Sequence, residues 1–300
     1  MTTPARLTVF TSTVPERLTK LWMLDKEGQP TKISGGEMVR GSARIATVES
    51  VEAFAALLQS LTHAEALTYG IPAADGPVMT RKAWIEAGKP AHVICRTKER
   101  MQWPDGPGIF YLDHDIPKNG EAPLTRKELI AALETVCPAL AECGLVHWQS
   151  SSSLIFNDAT GEMVRGEGGQ RIYFIVENAV DIPTAGERLQ TLLWAHGYGH
   201  VEISAAGSLL PRTIFDASVW QENRFDFAAG AACMAPLVQR RGAPFVRPGR
   251  PVRLLADIPA PTETEVGQAR LALDNAKAAA SPKAAGVKEA HIAVMAKRIA

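Results

Sequence analysis

Two acids separated by one residue close the run Gly108-Ile109-Phe110-Tyr111-Leu112-Asp113-His114-Asp115. The apolar stretch before them predicts a strand, and on a strand the side chains at i and i+2 leave the same face. Asp113 and Asp115 can therefore converge on one point. Paired carboxylate oxygens suit a hard divalent cation such as Mg²⁺ or Mn²⁺. A pair of solvated turn acids after a strand would read the same way, so the pair alone does not decide. A second short apolar run, Thr213-Ile214-Phe215, delivers Asp216, and Arg224 follows two turns on. Asp216 is either the N-cap of the turn after it or a third carboxylate, completing a two-metal site of the kind used in phosphoryl transfer.

Between these acids lies His147-Trp148-Gln149-Ser150-Ser151-Ser152-Ser153, then glycines at 166, 168 and 169, then Arg171 at the start of an apolar run. The segment reads either as a flexible loop and hairpin tip or as a phosphate cradle. In the cradle, Ser151, Ser152 and Ser153 supply hydroxyls and amides and Arg171 supplies charge. Further on, Arg240, Arg241, Arg247, Arg250 and Arg253 sit among glycines and prolines, with no acid between Asp226 and Asp257. That strip is either a solvated loop or a track for a nucleic-acid backbone. None of the seven histidines makes a zinc pattern; His196 and His200 are separated by Gly197 and Gly199 and read as structural.

The elements that must position these residues alternate irregularly. Helices are expected over 50–61, 125–143 (Thr125 and Glu128 form a capping-box pattern) and 185–196, the last ended by Gly197. Strands are expected at 7–10, 21–24, 90–95, 108–112, 171–176, 200–203 and 213–215. This order predicts an α+β fold rather than a doubly wound sheet. Pro259-Ala260-Pro261 reads as a linker, and 263–300 as Ala-rich helix broken once around Ser281-Pro282. The division expected is therefore 1–255 for the catalytic part and 256–300 for a linker and the start of a helical domain. Because the sequence stops in helix-forming residues at Ala300, a longer protein is expected.

Composition narrows the class. Thirty-two Lys and Arg balance 32 Asp and Glu, so nucleic-acid binding must rest on local patches rather than on net charge. With 46% hydrophobic and 21% charged residues, the chain is globular rather than disordered. No apolar run reaches the 18 or more residues of a membrane span, and 1–13 lacks the apolar core of a secretory signal. Cys95, Cys137, Cys143 and Cys233 form no C-x-x-C pair and read as free thiols in a reducing, cytoplasmic setting.

Taken in order, the strand ending in Asp-x-Asp, the serine segment running into Gly-Gln-Arg-Ile-Tyr-Phe, and the strand ending in Asp216 with Arg224 after it resemble the archaeo-eukaryotic primase superfamily. The likeness is to the primase-polymerase domains of phage, plasmid and integrative-element replication proteins, and it covers about residues 103–253. Phe-Asp-Ala-Ser-Val at 215–219 and Pro-Leu-Val-Gln at 236–239 look like the forms found in mobile-element members. One departure stands out. The family's second motif commonly reads Ser-x-His, and here Arg171 follows the serines while His147 precedes them.

The resemblance implies a primase catalytic core, with a sheet like that of an RNA-recognition motif beside an N-terminal α/β unit, and a C-terminal helical extension. It implies a DNA primase or polymerase that extends or initiates strands on single-stranded DNA, with dNTP or NTP substrates, two Mg²⁺ or Mn²⁺ ions, and a helicase in the full-length setting. Asp113, Asp115 and Asp216 would be the catalytic metal ligands. Ser151, Ser152, Ser153, Arg171 and Arg224 would contact the nucleotide, and the five arginines of the strip the template. Two other readings remain open: a sugar-nucleotide glycosyltransferase using the Asp-x-Asp pair, and a non-catalytic single-strand-binding module.

Overall fold

The strand that carries Asp113, Gly108–His114, pairs antiparallel with Gln170–Val176. That strand pairs with Leu145–Gln149, which pairs in turn with Phe245–Arg247. These pairings come from a computed structural model that describes residues 3–116 and 122–299, so Met1 and Ala300 lie outside the described residues. Helix Arg126–Val136 connects the first strand to Leu145–Gln149, and helix Ile182–Ala195 follows Gln170–Val176. The chain thus runs β-α-β-β-α with its first and third strands adjacent, a split βαβ arrangement. The fold is α+β, as the irregular alternation predicts.

A second sheet forms from the N-terminal residues, in the order Glu65–Thr68, Ala5–Val14, Arg40–Val48, Val78–Met79 and Ile94–Cys95. Helix Val51–Ser60 lies against strands of both sheets. Ser50 caps it by accepting from the Ala53 amide at 3.2 Å. Its Phe54 meets Tyr173 edge-on at 5.1 Å. Leu7, Val9, Phe54 and Leu58 share one buried cluster with Ile109, Leu112, Phe174 and Leu189, so the two sheets have a common core.

Several boundaries depart from the sequence expectation. The helix expected over 125–143 begins with the full capping box of Thr125 and Glu128 but stops at Val136. Pro138 has no N–H to continue the ladder and opens a 3₁₀ turn instead. Of the strand expected at 90–95, only Ile94–Cys95 pairs. The break expected at Ser281-Pro282 does not occur: Glu263–Ile299 is one helix with Pro282 inside it. A proline removes only one hydrogen bond there, and the first part of the helix packs on Ile182–Ala195 and on the hairpin Gly199–Ile203/Leu209–Thr213, burying Ala269 and Ala284. His196 reaches the same helix, 3.6 Å from Glu265. Among the described residues no helix is long and apolar enough to cross a membrane, and all four cysteines are free.

One close approach sets the position of Asp216. Helix Ile182–Ala195 passes so near the turn after Asp216 that a Cβ on Gly186 would fall 2.4 Å from the Trp220 ring. Trp220 in turn donates its indole N–H to the Tyr111 carbonyl at 3.0 Å. The ring therefore wedges between helix and strand.

Candidate active site

Asp113 is the penultimate residue of its strand, and Asp115 lies one residue beyond the strand's end. The Asp216 backbone amide donates to the Asp113 carbonyl at 2.9 Å, which brings the third acid beside the first two. All three line a cleft of about 930 Å³, and all three also line a neighbouring cleft of about 440 Å³. The two readings of Asp216 coexist. Its carboxylate accepts from the Ser218 amide at 3.0 Å and hydroxyl at 2.6 Å, capping the turn Ala217–Val219 while still facing both clefts. Arg212 stands 3.7 Å from it.

The donor set suits a divalent cation. Three carboxylates supply hard oxygens, and burial, with Asp115 and Asp226 adding repulsion, pushes the Asp113 carboxyl up to about 7 despite the nearby Arg171. A cation placed among these acids would relieve that strain. Among the described residues, no three His, Cys, Asp or Glu side chains are gathered at metal-holding distance as they stand.

Arg171 occupies the rung opposite Asp113. It is buried, with Nε 3.7 Å from Asp113 Oδ1, 3.1 Å from Asp226 Oδ1, and donating to the Tyr111 hydroxyl at 3.2 Å. Asp226 is itself buried and accepts from the hydroxyls of Tyr69 at 2.6 Å and Tyr173 at 2.8 Å. Burial opposes the charge on Arg171, but Asp226, the tyrosines and Asp113 together hold its pKa well above the ordinary value. Arg171 lines both clefts, yet most of its charge is already committed to Asp226 and Asp113.

The serine segment is an ordered turn. Ser153 accepts from the Gly168 amide at 3.0 Å and donates to the Gly169 carbonyl at 3.3 Å. Gln239 donates to the carbonyls of Ser150 and Ser153. Ser151 and Ser153 are buried away from the larger cleft, which Ser150 and Ser152 line. Ser152 accepts from Lys20, a residue of the N-terminal unit. Burial, followed by the charges of Arg171 and Lys32, lowers Lys20 to about 8. Lys32, Arg165 and Arg212 line the same cleft. His147, which precedes the serines, lines neither cleft; it is buried against Gln170 at 2.8 Å. His114 does line the larger cleft, donating from Nδ1 to the Ile214 carbonyl at 2.8 Å.

Arg224 stands on the smaller cleft with Arg96, apart from Lys20 and Ser152. The arginine strip is not the unpaired track that its sequence suggests. Arg240 pairs with Asp158, and Arg247 with Glu134. Arg250 pairs with Asp257 and Glu142, and Arg253 with Asp257. Arg241 stacks 3.5 Å from the Trp148 ring and donates to the carbonyls of Gln149 and Ala228. The acids that pair with four of them are remote in sequence or lie just past the strip, so the charge balance closes only in three dimensions.

Sequence reasoning did not select Lys20, Lys32, Arg96, Tyr69 or Asp226. For the first four no local signal exists, because they belong to the N-terminal unit. Asp226 carried one: it is an acid held between Phe225 and Phe227, where a charge needs a partner. Comparison with protein-family models, with curated proteins and with solved structures finds no match to this chain.

Proposed function

We propose that the chain is a template-directed nucleotidyltransferase that extends or initiates strands on single-stranded DNA, with a core of the archaeo-eukaryotic primase type. The observation that carries the reading is that Asp113, Asp115 and Asp216 line one cleft together with Lys20, Lys32 and Arg165. Carboxylates and cations in one cleft are the two components of a phosphoryl-transfer site, the first to hold metal ions and the second to hold phosphates. The β-α-β-β-α order with first and third strands adjacent supports the same reading, since it is the order expected of a sheet like an RNA-recognition motif.

Roles follow from position. Asp113, Asp115 and Asp216 would hold two Mg²⁺ or Mn²⁺ ions. When bound, those ions activate the attacking 3′-hydroxyl and neutralise the departing pyrophosphate. Lys20, fixed by Ser152, with Lys32 and Arg165, binds the triphosphate. Arg171 keeps the Asp113 carboxylate oriented and partly neutralised between turnovers. A glycosyltransferase would use the acid pair but would leave Asp216 without work, so the nucleotidyltransferase accounts for more of the site.

The test is extension of a labelled primer, and synthesis without one, on single-stranded DNA with Mg²⁺ or Mn²⁺. Incorporation that requires template and metal supports the reading. Hydrolysis or transfer of a sugar nucleotide without incorporation overturns it.

A further inference from the structure

The two clefts have different linings but a common wall. They share Asp113, Asp115, Arg171, Asp216 and Phe227. Phosphoryl transfer brings the attacking oxygen to one side of the phosphorus and expels the leaving oxygen from the other. A site of this kind needs room for a reactant on each side of its carboxylates. The larger cleft has the volume and the lysines for a nucleoside triphosphate, which leaves the smaller one for the other reactant.

Besides Arg171, that cleft holds two guanidinium groups. Arg96 is half-buried, stacked 3.5 Å from the Phe225 ring, and tied to Asn223 by a reciprocal pair: its Nη1 donates to the Asn223 carbonyl at 3.2 Å and Asn223 Nδ2 donates to its carbonyl at 3.3 Å. Arg224 is the next residue and is exposed. Among the described residues neither arginine forms an ion pair, whereas all but one of the arginines of the 240–253 strip do. Burial, with Arg224 adding repulsion, lowers Arg96 to about 10, and Glu37 on the same cleft opposes that shift without forming an ion pair with it.

Resting on the nucleotidyltransferase reading, we propose that Arg96 and Arg224 form a subsite for the terminal phosphodiester of the strand that carries the attacking 3′-hydroxyl. Two planar donors can grip one phosphodiester by several N–H bonds, and the fixed stack of Arg96 on Phe225 removes most of the cost of ordering it. Phe227, on the wall common to both clefts, lies where the terminal base of that strand would meet the incoming nucleotide.

The experiment is equilibrium binding of primed template by fluorescence anisotropy, without metal, so that no turnover is needed. Two primers are compared, one natural and one with an uncharged methylphosphonate at its terminal linkage. Wild-type chain is expected to bind the neutral primer about tenfold more weakly, the scale of a hydrogen bond to a charged group. Arg224→Gln, at an exposed position that folding tolerates, is expected to bind the natural primer about tenfold more weakly and to be indifferent to the swap. Arg96→Gln should behave alike, with a melting curve to show that it folds. An undiminished effect of the swap in Arg224→Gln overturns the proposal. So does a loss of nucleoside triphosphate affinity in that variant with no dependence on the linkage, which would assign the cleft to the nucleotide. If the wild type extends primers while the swap has no effect, the subsite alone falls; if it binds no primed template at all, the nucleotidyltransferase reading falls with it.

Discussion

Asp113 and Arg171 stand opposite each other on one rung of an antiparallel ladder, with the guanidinium Nε 3.7 Å from the carboxylate. The register makes the pair, and the buried Asp226 behind it shares the same guanidinium at 3.1 Å. A positive group thus lies between an acid that faces the cleft and one that does not.

Asp113→Asn and Asp216→Asn should each lower nucleotide incorporation by about a thousandfold, because each removes one charged oxygen from the proposed metal site. Affinity for single-stranded DNA should change little. Primer extension in parallel with anisotropy checks both halves, and equal losses in the two assays would count against the assignment.

Lys20→Met should raise the nucleotide KM about tenfold or more while leaving template affinity near that of the wild type, since Lys20 is the cation that Ser152 fixes in the larger cleft. Arg171, spent on two acids, is the weaker candidate for this contact. A KM unchanged in Lys20→Met would move the triphosphate to another wall.

Asp226→Ala should be severely destabilising, by about 3–5 kcal/mol, because it leaves Arg171 buried beside two tyrosine hydroxyls without their shared acceptor. Asp226→Asn keeps an acceptor and should cost less. Urea unfolding of the three proteins orders them; equal stabilities would mean that the cluster is not carrying the charge as described.

Burial lowers His147 to about 4, well below the 6.5 of an unfolded chain. Between those values the unfolded state binds the extra proton, so stability present above pH 6.5 is lost as pH falls towards 4. Between pH 7.5 and 5 the loss from this group should be about 2 kcal/mol. Denaturant melts at the two pH values should show a smaller loss in His147→Gln, where the imidazole is gone.

Arg240 and Arg241 engage protein partners, so changing both to Ala should lower the melting temperature and leave the salt dependence of single-strand binding unaltered. A flattened salt slope at unchanged stability would show instead that these residues hold the template backbone.

The alternation of elements, the capping residues Ser50 and Thr125, and the Asp-x-Asp pair on its strand were legible because each is a local pattern of residue types. The arrival of Asp216 at Asp113 was suggested by motif order alone, and its physical cause is non-local: a backbone bond between residues about a hundred apart, steadied by Trp220 against Gly186. Lys20 and Asp226 were illegible for a related reason. One reaches Ser152 from the other sheet, and the other becomes meaningful only once Tyr69, Tyr173 and Arg171 surround it. The arginine strip misled because sequence shows a charge without showing its neutraliser; Asp158 and Glu134 are far along the chain from Arg240 and Arg247.

The core common to the two sheets bears on how substrates come and go. Leu7 and Val9 on one sheet, Ile109 and Tyr173 on the other, and Phe54 and Leu58 from the helix between them are all sealed from water. Prying the halves apart like a jaw would wet these side chains, at about 1.5–3 kcal/mol for each one fully exposed. On the proposed nucleotidyltransferase reading, strand and nucleotide would then enter and leave by threading along the clefts rather than by separation of the two sheets. Amides of Leu7, Val9 and Phe110 should then exchange with deuterium only through global unfolding, with one shared free energy of opening.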